Sequence, residues 1–150
     1  MKPGEETNPH LKHNDKVLIW NNKKNEEFWV RHCVQNSKGA QFDHKLLSDD
    51  KDLVISKGTD KNIENYSGFS NNGEDTGLEK LLKKINARKL FVCGTTMDYG
   101  VGMTALDGLK NGYQVVILED VCSCLSPQTK TSRIGEFLKK GGQLVSSHSL

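Results

Sequence analysis

The side chains able to do chemistry in this sequence gather in a few stretches. Lys57 stands before the final glycine of "DLVISKG", His32 sits beside Cys33 in "RHCV", and "FVCGTTMDYGVGMTA" carries Cys93 and Asp98 among its glycines, ahead of Cys122-x-Cys124. "GVGMTA", Gly100 to Ala105, satisfies the G-x-G-x-x-A fingerprint of dinucleotide binding, with Glu119 at the end of the next strand as ribose ligand. That fingerprint wants its first glycine at the strand's end, so that the pyrophosphate meets the helix N-terminus. Here Gly94 to Tyr99 intervene, and helix packing by small residues is the preferred reading.

A metal needs three or four ligands, and adjacent residues seldom both reach one ion. His32-Cys33 and Cys122-x-Cys124 therefore read first as structural. Lys57 closes an expected strand on the same sheet edge as Gly94 to Gly100. At that edge a lysine holds a thiolate or an anionic transition state, and anywhere else it is a solvated charge. Asp98 is expected to cap the helix that follows it. Cys93, inside a strand, is expected to be a buried packing thiol with a raised pKa.

The elements that must position these groups follow from periodicity. Val17 to Trp20 is a short apolar run for an edge strand, followed by a polar loop from Asn21 to Glu27. Leu53 to Lys57 has the β-branched density of a buried strand, closed by Gly58. Leu78, Leu81, Leu82 and Ile85 fall on one helix face, with Glu79 and Lys83 paired on the wet side. Strands are expected at Leu90 to Cys93, Val115 to Leu118 and "QLVSS". Helices are expected from Gly100 to Asn111, stopped by Gly112, and from Thr131 to Lys140. The order β-α-β-α-β-α-β implies a three-layer α/β/α arrangement around a Rossmann-like parallel sheet.

Composition narrows the function classes. At 150 residues the chain is one domain by length, able to bury about two thirds of its unfolded surface. A net charge of +2, from 21 Lys and Arg against 19 Asp and Glu, gives no face dense enough for nucleic acid or a membrane surface. No apolar run suits a signal peptide or a membrane span, so the chain reads as cytoplasmic, its four cysteines free thiols and its Asn65-Tyr66-Ser67 sequon idle. Residues 1–28 read as a poorly ordered segment and 29–150 as the folded domain.

Taken together the pieces resemble the nicotinamidases, within the isochorismatase-like cysteine hydrolase superfamily. "WVRHCVQNSKGAQF" resembles the family's W-P-x-H-C-V-Q-x-(S/T)-x-G-A, and "ISKGTDKNIENYSGFSNN" its K-G segment ending in Y-S-x-F. "VCGTTMDYGVGMTALDGLKNGY" resembles V-C-G-x-x-x-D-x-C-V-x-x-T-A-x-D-A-x-x-x-G-Y. The resemblance implies a reaction in NAD salvage. A cysteine thiolate at the elbow attacks the nicotinamide carbonyl, ammonia leaves, and water releases nicotinate. It also implies an aspartate that shuttles protons, a lysine that favours the thiolate, and backbone N–H groups that bind the oxyanion. A divalent metal (zinc, iron or manganese) on an Asp and three His residues completes the implied site.

Carried over by position, Lys57 matches the catalytic lysine, His32 the last metal histidine, and Thr95-Thr96 a cis peptide. The N–H groups of Thr96 and Gly100 match the oxyanion donors. Asp98 and Tyr99 match the elbow, and Tyr66 and Phe69 the segment beside the pocket. Gly100 stands where the family carries its nucleophile. The strand with the D-x-Q-x-D-F pattern has no counterpart, nor does the D-x-H group, and Asp15, His10 and His13 lack that spacing. The expectation is therefore a truncated member with uncovered sheet edges, inactive alone as a pseudoenzyme with its metal site weak or lost. The alternatives are a non-catalytic ligand-binding or regulatory partner of a full-length relative, and an incomplete gene product. The partners implied are nicotinamide or a related small carboxamide, with homo- or hetero-oligomers as assemblies.

Overall fold

A computed structural model describes residues 32–60, 63–70 and 73–150, together with the backbone of two strands at 17–21 and 24–28. The chain forms two compact units, Met1–Asp52 and Leu53–Leu150. In the first, β1 (Val17–Asn21) pairs antiparallel with β2 (Lys24–Phe28), in register from Val17 opposite Phe28 to Asn21 opposite Lys24. Lys24 to Glu27, expected as loop, is thus strand: pairing with an apolar neighbour overrides the weak strand preference of its polar residues.

In the second unit a three-stranded parallel sheet runs in the order β3 (Lys89–Gly94), β4 (Gln114–Cys122), β5 (Gln143–Val145). Helix α1 (Leu78–Lys84) precedes β3, α2 (Gly102–Lys110) joins β3 to β4, and α3 (Pro127–Lys139) joins β4 to β5. Two helix starts differ from the sequence reading. Before α2 the chain makes a wide π turn, Met97–Val101, because the Thr96 carbonyl accepts from the N–H of Val101, five residues on, at 2.9 Å. α3 begins four residues earlier than Thr131, because Ser126 accepts from the Thr129 N–H and Pro127 takes a first-turn position that needs no donor. Gly112 stops α2 with φ +85°, the left-handed conformation that glycine adopts without a Cβ penalty.

Leu53 to Lys57 is not a strand. Strand propensity is realised only when a neighbour takes the N–H and C=O groups, and among the described residues this segment joins no ladder. Leu53 and Val54 are accordingly 63% and 65% exposed. The covering of the sheet varies with it. Val115, Val116 and Ile117 are buried in succession, so both faces of β4 are covered, whereas β3 alternates between exposed and half-buried residues and shows one face to solvent. The arrangement is α/β with a parallel sheet.

The core gathers Met97, Val101, Ala105, Leu106, Val115, Ile117 and Phe137. No helix among the described residues is long and apolar enough to cross a membrane. Phe137 is fully buried, and its ring lies where a Cβ on Gly142 would sit, 2.2 Å away. Phe137→Ala should therefore cost about 3–5 kcal/mol, read from a denaturant titration followed by circular dichroism.

Candidate active site

The loop from the carboxyl end of β3 to the start of α2 is held by three sets of contacts. β3 ends at Gly94 with φ +121°, and the next peptide, Thr95-Thr96, is cis. Ser123, just past β4, donates its N–H to the Gly94 carbonyl at 3.2 Å and accepts the Met97 N–H at 2.7 Å. Its hydroxyl lies 3.0 Å from that of Thr95. Inside the turn, the Thr96 carbonyl accepts from Tyr99 and Val101, while Thr96 and Gly100 N–H make no backbone bond outside their own turn among the described residues.

Asp98 provides the third set. It was expected to cap its own helix; instead its Oδ2 accepts from the N–H groups of Leu125 and Ser126, at 3.0 and 2.9 Å, just ahead of α3. It thus caps a helix distant in sequence. The side chain is fully buried and is not part of the cleft wall, and Arg133 Nε donates to the Asp98 carbonyl at 3.3 Å.

The two glycines of "GVG" serve opposite purposes. A Cβ on Gly102 would stand 2.3 Å from Arg133 Cγ and 2.5 Å from the Met97 carbonyl oxygen, so close packing excludes any side chain there. A Cβ on Gly100 would meet only the carbonyl oxygens of Tyr66 and Thr95, at 3.6 and 3.7 Å, which is ordinary contact distance. The position therefore has room for a side chain that it does not carry.

Beside Gly100 lies a cleft of about 290 Å³, near the lower end for small-molecule sites. Its wall includes Lys57, Gly68, Val92, Cys93, Thr95, Gly100 and Thr104. Thr104 joins two parts of this wall, accepting from the Gly68 N–H at 2.8 Å and donating to the Gly100 carbonyl at 2.7 Å. Lys57 Nζ donates to the Asn65 carbonyl at 3.2 Å. Tyr66 and Tyr99 pack with ring centroids 5.5 Å apart, and Tyr66 donates its hydroxyl to Glu64. Phe69 is buried against Tyr113 and belongs to the packing behind the cleft.

Cys93 departs from expectation. It is exposed and lines the cleft, because the alternation along β3 puts it on the open face of the sheet. Cys122 is half-buried, and burial pushes its thiol upward. His32 is exposed and belongs to the first unit, while the cleft is built from the second. Among the described residues no three His, Cys, Asp or Glu side chains gather to hold a metal. His10, His13 and Asp15 lie outside the described residues. Sequence reading missed Thr104 and Glu74. Glu74 is buried and accepts four hydrogen bonds from Gly58, Thr59 and Asn65, yet nothing in its local spacing marks it.

Two measurements check this geometry. Gly100→Ala should raise stability by about 0.4–1 kcal/mol through the unfolded chain, whereas Gly102→Ala should lower it by about 1–3 kcal/mol through overpacking. Equal effects on the melting transition would contradict the two spacings. In the native protein iodoacetamide should label Cys93 faster than Cys122, since thiolate is the reacting form and burial disfavours it at Cys122. Mass spectrometry of a time course reads the order directly.

The isochorismatase domain model matches residues 9–149. The nicotinamidase of Escherichia coli (strain K12) is 37% identical over 109 residues, covering 71% of this chain and 51% of that protein. The chain spans about half the length of the curated relatives it matches. Among solved structures, PnC1 from L. infantum in complex with nicotinate is 41% identical with a TM-score of 0.78, covering 81% of this chain and 62% of that one. The pyrazinamidase of Pyrococcus horikoshii in complex with zinc is 36% identical with a TM-score of 0.72, covering 79% and 63%. With the parallel sheet and the strand-to-helix elbow in place, the chain belongs to the isochorismatase domain family.

Proposed function

We propose that this chain is a non-catalytic nicotinamidase-family domain that binds a pyridine carboxamide or carboxylate in the cleft beside Gly100. The observation that carries the reading is Gly100 itself. It lines the cleft with Lys57 and Thr95, at the position matched to the family's nucleophile, and it offers no thiol. Family chemistry converts nicotinamide to nicotinate and ammonia through a thioester, and a hydrogen atom cannot form that bond. The features suited to binding remain: the N–H groups of Thr96 and Gly100 for a carbonyl oxygen, Lys57 for negative charge, and the Tyr66-Tyr99 pair beside the turn. Support for the ligand class comes from the nicotinate held by the L. infantum protein.

The zinc of the P. horikoshii protein supports a divalent metal in the family. In this chain His32 is the residue matched to a metal ligand, and the described residues gather no set of three donors around it. The described donors do not fit such an ion, so the reading routes no step through one and expects affinity for zinc, iron or manganese to be weak or lost.

A second reading has one observation in its favour: Cys93 brings a thiol to the cleft wall. Among the described residues lining that cleft there is neither a carboxylate nor a histidine to accept the thiol's proton.

Nicotinamide with added zinc, iron or manganese should release no ammonia above a buffer blank, from the wild type or from Gly100→Cys. The latter restores sulfur but not the base. Nicotinate or nicotinamide should shift the Thr95, Gly100 and Thr104 amide resonances in a nitrogen-proton correlation spectrum. Ammonia release by the wild type would overturn the non-catalytic assignment, and its loss in Cys93→Ser would favour the second reading. Unmoved cleft resonances would overturn the binding assignment.

A further inference from the structure

Lys57 is held by a circuit of bonds that runs from its ammonium back to the N–H of the next residue, Gly58. Its ammonium donates to the Asn65 carbonyl at 3.2 Å. The side chain of the same Asn65 donates from Nδ2 to Glu74 Oε2 at 2.7 Å. Glu74 Oε2 also accepts the N–H of Gly58, the residue that follows Lys57, at 2.8 Å. The other oxygen, Oε1, takes the N–H and the hydroxyl of Thr59, both at 2.7 Å. One buried carboxylate thus grips the backbone just after Lys57 and also the residue that receives the Lys57 ammonium.

Gly58 permits this turn, since its φ of +65° lies in the left-handed region where a side chain is strained. Segment 53–57 belongs to no ladder among the described residues, so sheet pairing does not set where Lys57 points. The carboxylate has the strength for the task, because hydrogen bonds to an ionised acceptor are stronger than neutral ones and all four donors converge on two oxygens.

From this circuit we propose that Glu74 is the positioning residue for Lys57, setting its ammonium at the cleft wall beside Thr95 and Gly100. The proposal rests on reading Lys57 as the charge that the cleft presents to an anionic ligand. The donors on Glu74 hold its carboxyl down at about 2, chiefly the Thr59 N–H and then the Asn65 amide. With the folded value below the ordinary carboxylate range, the circuit stands above that range and opens only as the pH falls toward 2.

The test reads Lys57 itself. In a spectrum of lysine ammonium groups, the full chain should show a Lys57 signal resolved from the solvated lysines. In Glu74→Gln that signal should merge with theirs, while Gly58 and Thr59 amides lose hydrogen-exchange protection several-fold and β4 amides keep theirs. Glutamine keeps one acceptor oxygen but turns an amide N–H₂ toward donors. Asn65→Ala, which leaves Glu74 its contacts with residues 58 and 59, should weaken the Lys57 signal in the same direction and serves if the first variant does not fold. A Lys57 signal unchanged in a folded variant would overturn the proposal and leave Glu74 a loop anchor only. So would a loss of protection spread equally over β4. No ligand or turnover enters these measurements. Failure of nicotinate to bind would therefore sink the functional reading while leaving this one to stand or fall separately.

Discussion

A carboxylate sealed from solvent at position 98 is the constraint on which the elbow depends. Removing such a group from water is costly unless hydrogen bonds replace its hydration. Here Leu125 and Ser126 N–H supply two of them, and the positive end of the α3 dipole lies just beyond. The same residue's carbonyl takes Arg133 Nε, from the second turn of α3. The strand-to-helix loop is thereby fastened to a helix that begins after the whole of β4 has been laid down. Gly102 completes the contact, because Arg133 can lie across α2 only where no Cβ intervenes. Elbow, α2 and α3 pack together, and Thr95, Gly100, Val101 and Thr104 from the elbow and α2 form one side of the cleft.

What could be read from the sequence divides along this line. α1, α2 and β3 to β5 were legible because their signals are local: apolar residues at helical spacing, β-branched runs, glycine at a left-handed stop. Asp98 was legible as a capping residue by type, but not which helix it caps, since its partners lie 27 and 28 residues away. Leu53 to Lys57 carries the composition of a buried strand, but among the described residues it has no neighbour that would make it one. Composition reports what a segment is suited to, and pairing depends on what is next to it. Cys93 follows the same logic: strand residues are buried or exposed according to whether their face is covered. Glu74 left no local trace at all, because its donors converge from the turn after Lys57 and from Asn65.

Matching motifs by position carried further than periodicity for the site. Lys57, Thr95 and Gly100 line one cleft although 43 residues separate the first from the last. The peptide between Thr95 and Thr96 is cis, as in the pattern it matches. His32 was matched in the same way to a metal ligand. A matched position names a candidate ligand, but a metal site exists only where several ligands converge, and the described residues offer no such group.

Gly100 raises a physical question about how the surrounding architecture keeps its form with no side chain at that position. Every contact that shapes the elbow is made by something other than a side chain at 100: the Thr96 carbonyl, the Ser123 backbone, the Asp98 carboxylate and the Thr104 hydroxyl. Thr104 bonds to the backbone carbonyl of residue 100, which is the same for any amino acid. A Cβ at position 100 would meet only two carbonyl oxygens at ordinary contact distance, so the frame does not rely on a side chain there. The wall that Lys57, Thr95 and Gly100 share is thus set by the backbone and by neighbouring side chains.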